Sequence, residues 1–418
     1  MFIVNNKHIN NLYTVLLVCM PLFNIYTSGF AGLGLGDLFL LLFCIFIIIR
    51  EKTLKLDKVG YWLFLVYLVL ISLILTAIIS EFSIINIFIK FAKMILYALV
   101  IFCLSREHIN LKMGINLYVN LSFIASIYLL LQALVHIFTR IYLPITIPFL
   151  KLASMSSGDE YNGKMISGYE VFGYRYSGFF AEPATFSQYT IFAVAFLLFQ
   201  EEKSIKMNKT IKLIIICLAI IASFSAIGFI LLGVVFLYWF LKRSQSKSSL
   251  IRKFGLLFVV GVVLGLFVYK TGALTNIYNR LFEVSNINVS SGSIRVLRGF
   301  EIYNEFPLVY KFIGIGGGNF DAFILKYNIV TRFDGVIPRT TEYMSGISTV
   351  IIYGGIIGLI LFSIPMIKLF IYKSNLTRIM LMLLFVILFS ASSLISATFV
   401  TIMAFIYVLE YRESLIDY

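Results

Sequence analysis

Long apolar runs joined by short polar connections make up most of the chain. They read as about twelve spans, near residues 12–28, 35–49, 59–79, 84–104, 115–138, 186–200, 211–225, 227–241, 254–269, 346–364, 379–394 and 395–410. Several are shorter than the roughly 20 residues that a helix needs to cross a hydrocarbon core, so length alone leaves their boundaries open. The pattern predicts an all-α polytopic membrane protein, a single integral membrane domain over residues 1–418. Two long polar loops interrupt it, approximately 139–185 and 270–345. The first run has no clear small-residue cleavage site and is followed at once by another, so it reads as a span and not as a removed signal peptide.

Local signals add detail. Ser291-Gly-Ser293 is a helix start and Pro307 a stop, so the second loop is expected to carry a short helix. At 100° per residue, Arg295, Arg298, Glu301 and Glu305 would fall within about 120° of arc, with Leu297, Phe300 and Tyr303 opposite. Such a helix lying on the outer mouth of the bundle would present both arginines and both carboxylates in one direction. Ser223-Phe-Ser225-Ala-Ile-Gly228 is expected to form a tight turn between two spans, its small residues letting helices approach closely.

Composition fixes the class. Of 418 residues, 60% are hydrophobic and 13% charged, with mean hydropathy +0.97, whereas soluble proteins carry about 25% charged residues. The net charge of +14 is explained by its distribution. With a cytoplasmic N-terminus, the inner segments hold 20 cations against eight acids; the first long loop is balanced at four each, and the second has eight cations against six acids. The positive-inside rule therefore puts both termini in the cytoplasm and both long loops outside. The basic balance reports topology among membrane lipids, and no nucleic acid partner is expected.

Candidate chemistry is concentrated in the loops. Arg175, Arg295 and Arg298 are permanently charged forks suited to phosphate oxygens. In the plainer reading they pair with Glu182, Glu301 and Glu305 or with phospholipid head groups. Glu182, just before Pro183, is either a helix-start residue favoured by the dipole or a base for a hydroxyl nucleophile; Glu301, Glu305 and Glu342 are its rivals. Asp37, Glu81, Lys90 and Lys93 fall in or beside outer span ends, with Lys90 and Lys93 about 9 and 14 Å along the fourth span. They line a polar vestibule in one reading, and the lysines snorkel in the other. The loop aromatics either stack on sugar rings or form an interface belt, the belt being favoured for most of them. Gly314-Ile-Gly-Gly-Gly-Asn319 lacks the lysine and hydroxyl of a P-loop and is expected to be a packed turn.

Absences narrow the chemistry further. Cys19, Cys44, Cys103 and Cys217 all fall in spans, where packing is their expected role. Neither loop holds a cysteine, so no disulfide framework is expected there. The three histidines are scattered, no histidine–carboxylate cluster is visible in the sequence, and no Asp-x-Asp pair occurs. Group transfer here is expected to need no metal and no cofactor.

At these residues the chain resembles the Wzy-type O-antigen and capsular polysaccharide polymerases, and more distantly the O-antigen ligases. The matching features are Arg175-x-Ser177-Gly178-x-Phe180-x-Glu182-Pro183, the Ser-x-Ser-x-x-Gly turn at 223–228, and the arginine-bearing second loop. Gly314-x-Gly316-x-Gly318-Asn319 and Tyr353-Gly-Gly-Ile-Ile-Gly358 also fit. Ligases often carry a histidine before the glycine-containing tenth span, where this chain reads Arg339-Thr-Thr-Glu342-Tyr-Met-Ser345. That departure favours a polymerase. The resemblance implies a metal-independent glycosyltransferase of the bacterial cytoplasmic membrane, moving a growing glycan from undecaprenyl pyrophosphate onto the non-reducing end of a new lipid-linked repeat unit. It implies Arg175, Arg295 and Arg298 on the pyrophosphates, Lys90 and Lys93 as secondary cations, and Glu182 or Glu301 activating the acceptor hydroxyl. A chain-length regulator and a flippase are the partners it implies. The alternatives are an O-antigen ligase and a lipid-linked oligosaccharide flippase or other transporter.

Overall fold

The computed structural model describes residues 6–29, 33–51, 59–79, 81–144, 150, 176–199, 207–241, 291–340, 342–371, 374–391 and 396–416. Among them the regular structure is entirely helical, apart from one isolated bridge between Thr27 and Gly34. Every expected span overlaps a helix except the one at 254–269, which lies outside the described residues. Three helices, Ile84–His108, Leu111–Thr139 and Gly346–Ile371, are long and apolar enough to cross a membrane. They leave Ile85, Phe88, Phe138 and Ile360 exposed, as lipid contact allows and water does not favour. A helical, membrane-associated protein follows.

The chain packs as two compact units, Met1–Gly114 with Val284–Tyr418, and Ile115–Glu283. The first contains α1 (Asn6–Phe23), α2 (Leu35–Glu51), α3 (Val59–Ile78), α4 (Ile84–Leu99) and α5 (Ser105–His108). A π-helical turn, Val100–Leu104, joins α4 to α5. There the Val100 carbonyl accepts from the Ser105 amide five residues on, from the Ser105 hydroxyl and from Tyr13 Oη. The extra donors favour the wider turn over an ordinary one. The first turn of α6 (Leu111–Thr139) also belongs here, and the rest of α6 lies in the second unit.

The second unit also holds α7 (Pro183–Phe199), α8 (Met207–Ala222) and α9 (Ala226–Leu241). α7 is its core, with Phe186 and an unbroken run from Tyr189 to Phe196 all buried. Gly228 sits so close to Ser187 that a β-carbon there would lie 2.6 Å from its hydroxyl, and Ser187 Oγ is 3.2 Å from Ser223 Oγ. The small residues of the 223–228 turn thus let α9 close on α7. Cys44, Cys103 and Cys217 are buried and reduced.

In the first unit the remaining helices are α10 (Ser291–Asn304), α11 (Leu308–Ile313), α12 (Phe320–Lys326), α13 (Gly346–Ile371), α14 (Asn375–Ser390) and α15 (Ala397–Ile416). α13 is broken at Gly355, where φ is +62° and ψ is −160°. A break strands the carbonyls of the preceding turn, which must find other donors. The glycine run supplies them: Ile315 N donates to Ile352 O at 3.0 Å and Gly316 N to Tyr353 O at 2.9 Å. Gly317 N donates to Ser72 Oγ of α3, and Tyr67 Oη of α3 donates to Ile313 O. Asn319 Oδ1 accepts from Ser83 N at the start of α4. One loop is therefore stitched to three helices.

This join tolerates no side chain. At Gly314 (φ +78°) a β-carbon would lie 2.2 Å from Tyr353 O, and at Gly355 2.2 Å from Phe312 O. Gly355→Ala or Gly314→Ala should therefore lower stability by about 2–5 kcal/mol, combining left-handed backbone strain with overpacking. Gly233→Ala, with open space around its β-position, should leave it unchanged or slightly higher. Thermal unfolding of the detergent-solubilised variants checks the contrast.

Candidate functional site

The middle of α4 carries Lys90 and Lys93 on the same face, and the two lysines engage different partners. Lys93 Nζ meets Asp37 Oδ2 at 2.9 Å. Asp37 is fully buried and needs every bond it makes. Its Oδ1 accepts from Tyr97 Oη and Asn24 Nδ2, each at 2.6 Å, and its Oδ2 from Gly34 N at 3.1 Å. The charge of Lys93 thus anchors α4 to α2. Glu81 pairs with Lys326 at 3.0 Å. The vestibule expected from Asp37, Glu81, Lys90 and Lys93 resolves into separate pairs, with Asp37 inside the packing.

Lys90 pairs with Glu342, and its Nζ lies 5.3 Å from the ring centre of Tyr353 in α13. The neighbouring Tyr343 accepts from Arg295 Nε, with the guanidinium 4.9 Å over its ring. Arg298 Nη2 donates to the carbonyls of Pro338 and Arg339, at 3.1 and 2.9 Å. The short stretch from Pro338 to Tyr343 therefore gathers three of the five cations nominated from sequence. Two of these, Lys90 and Arg295, remain half-buried and reachable.

Two expectations for α10 are corrected. Arg298 is fully buried, so the helix does not present both arginines and both carboxylates in one direction. Its inner face is Ile294, Arg298, Gly299 and Ile302, because Gly299 lets α10 approach α13 until a β-carbon would lie 2.2 Å from Ser348 Oγ. Glu301 pairs with Arg332 at 2.8 Å, not with an arginine of its own helix. Burial pushes the Arg298 pKa down, and Asp334 only partly opposes it. That cation sits where added negative charge would be welcome.

The outer rim is also charged. Arg339 meets Asp334 at 3.2 Å and Asn328 at 3.1 Å. Asp321, on α12, has its pKa raised by burial first and then by Glu342, with Lys90 opposing. The amides of Ile315, Gly316 and Gly317 are all engaged within the protein, so the glycine run is a structural clasp and no anion cradle forms from those three.

In the second unit, Arg175 lies outside the described residues. From Tyr176 onward the motif is a buried turn. Gly178 (φ +62°) exchanges bonds with Gln132, its amide to Oε1 at 2.9 Å and its carbonyl from Nε2 at 3.2 Å. Phe180 packs between Phe186 and Tyr189, and Phe179 stacks on Tyr128 at 4.4 Å. Phe180 is core, outside the interface belt favoured for most of the loop aromatics. Glu182 is exposed, and its carbonyl accepts from Phe186 N to begin α7, the arrangement that suits a proline at the first helical position.

Sequence reasoning missed Tyr343, Arg332 and Asp321, whose partners lie on distant elements, and Arg339, whose loop neighbours Asp334 and Asn328 follow no helical spacing. It also expected no histidine–carboxylate cluster. Glu51, Glu107 and His108 form one, their ligand atoms all within 4.8 Å of each other; only two of the three are neighbours in sequence. No protein-family model and no curated protein matches this chain.

Two outcomes follow. Lys93→Met should cost about 3–5 kcal/mol by leaving the buried Asp37 without its counter-charge, whereas Lys90→Met, on a more exposed pair, should cost about 1 kcal/mol or less; thermal melts compare them. A carboxyl whose pKa is raised on folding favours the fold below its unfolded pKa and opposes it as pH climbs through the folded value. Asp321→Asn should therefore raise the unfolding midpoint at neutral pH. That gain should fade as pH falls through the raised folded value and be absent below about pH 4.

Proposed function

We propose that the protein is a metal-independent membrane glycosyltransferase of the polysaccharide-polymerase kind. It extends a lipid-linked glycan on the outer side of the bacterial cytoplasmic membrane. The observation that carries this reading is the convergence of Lys90, Arg295 and Arg298 on the stretch from Pro338 to Tyr343. A sugar leaving as its polyprenyl diphosphate needs charge stabilisation where the anion develops, and these cations offer it beside an apolar helical scaffold.

In this reading Arg295 and Lys90 contact the diphosphate, releasing Tyr343 and Glu342 as they do so. Arg298 is a positioning residue that holds the Pro338–Arg339 backbone beneath them, and Lys93 fixes the helix that carries Lys90. The resemblance also implies a phosphate contact for Arg175, which lies outside the described residues. The acceptor hydroxyl attacks the anomeric carbon, the bond to the diphosphate oxygen breaks, and Glu182 or Glu301 takes the hydroxyl proton. The substrates are undecaprenyl-pyrophosphate-linked oligosaccharides, with a chain-length regulator and a flippase as neighbours in the pathway.

Purified protein supplied with lipid-linked repeat units should build polymer without any ion gradient. Arg295→Gln and Arg175→Gln should each lower turnover by about 100- to 1000-fold, the usual loss on removing a donor to developing charge, and leave single-unit products. Wild-type rates from both variants at normal protein level would overturn the catalytic assignment. Transfer only onto a lipid A core would instead identify a ligase, and movement of lipid-linked units without elongation would identify a transporter.

A further inference from the structure

At the opposite end of the Ile84–His108 helix lies a group that the proposed transfer does not use. His108 is 18 residues beyond Lys90, roughly 27 Å by helical rise, on the side that the charge distribution assigns to the cytoplasm. Its imidazole is only 6% exposed, and the Tyr13 ring packs edge-on against it at 6.0 Å.

Its tautomer follows from its neighbours. Asn10 donates through Nδ2 to the Glu107 carbonyl at 3.2 Å, which leaves Asn10 Oδ1 as the acceptor 2.9 Å from His108 Nδ1. Nδ1 therefore carries a proton, and in the neutral ring Nε2 carries a lone pair. Nε2 is buried and makes no hydrogen bond, yet it lies 3.2 Å from Glu51 Oε1, with a Glu107 oxygen in the same cluster. A buried, unbonded imidazole lone pair aimed at two carboxylate oxygens is a ready ligand for a cation held among them. A histidine fixed through one nitrogen by a second residue, with the other aimed at carboxylates, is how proteins prepare a metal ligand.

We propose that His108 Nε2, Glu51 and Glu107 bind a divalent first-row transition metal ion, with Asn10 as the positioning residue. One imidazole nitrogen and two carboxylate oxygens suit Zn²⁺ or Mn²⁺ better than Mg²⁺ or Ca²⁺. Both glutamates are exposed, which gives the ion a path from water and leaves coordination positions for solvent. The bound ion links the end of α2 to α5 and, through Asn10, to α1. It acts as a clasp on this face, remote from the proposed glycan chemistry.

Full-length protein, purified in detergent through a non-histidine tag and stripped with EDTA, is titrated with ZnCl₂ and MnCl₂ by calorimetry. One equivalent of ion should bind, raising the thermal midpoint by several degrees. His108→Gln and Glu51→Gln/Glu107→Gln should abolish binding, and Asn10→Ala should weaken it 10- to 100-fold. His8→Ala, which alters an exposed histidine nearby in sequence, should leave binding intact. Because the glutamate double variant alters exposed groups and removes the charge facing His108, its apo-protein should melt no lower than the stripped wild type, which separates lost binding from lost folding. No uptake by the stripped wild type, or equal uptake by His108→Gln, would overturn the site. An unfolding midpoint that ignores both ions and rises on acidification would do so too, marking a protonated His108 paired with Glu51.

Discussion

Two stranded carbonyl oxygens govern the organisation of the first unit. The break at Gly355 takes Ile352 O and Tyr353 O out of the α13 ladder, and in an apolar setting each would cost several kcal/mol if left without a donor. The amides of Ile315 and Gly316 fill that need. To reach them the second loop must dip between α3, α4 and α13, and its glycines are there because the backbone must approach within contact of other backbone. The loop leaves the clasp at Asn319, which secures the start of α4 through Ser83. The helix that carries Lys90 and Lys93 is thus held at its first turn by the same excursion that satisfies the broken one.

Electrostatics then sort the cations by burial. Lys93 is tied to a carboxylate that cannot reach water, so its role is to fix helix positions. Lys90 and Arg295 meet half-exposed partners whose bonds compete with solvent and are cheap to exchange for a stronger anion. Arg298 lies deepest and leans on neutral carbonyls, with desolvation outweighing the pull of Asp334. A graded set of this kind is stiff below and exchangeable above, which is how a site can remain ordered while its uppermost bonds are replaced by a ligand.

The helices were legible from the sequence because apolar length is a local property, and the end of α10 before Pro307 because a proline stop is local too. The 223–228 turn was legible for the same reason, as small residues between two apolar runs leave few alternatives. What the sequence did not reveal depends on contacts across long separations. The orientation of α10 was misread because Gly299, by closing on Ser348, outweighs the charge pattern and turns Arg298 inward. Nothing in Gly354-Gly355 separates a broken helix from a close helix crossing until the Gly314–Gly318 run is placed against it. Phe180 is drawn into the core by the bond exchange between its turn and Gln132, a residue within an apolar span, and that contact leaves no local signal.

The π turn at Val100–Leu104 has a consequence for angular phase. In an uninterrupted α-helix, residues 18 apart complete five whole turns and point the same way, so His108 would stand in line with Lys90. One surplus residue in the wide turn removes about 100° from that alignment. A single helix therefore offers cationic side chains to one set of neighbours and an imidazole to another. The hydrogen bonds that Ser105 and Tyr13 make to one carbonyl decide which neighbours each end of the rod addresses.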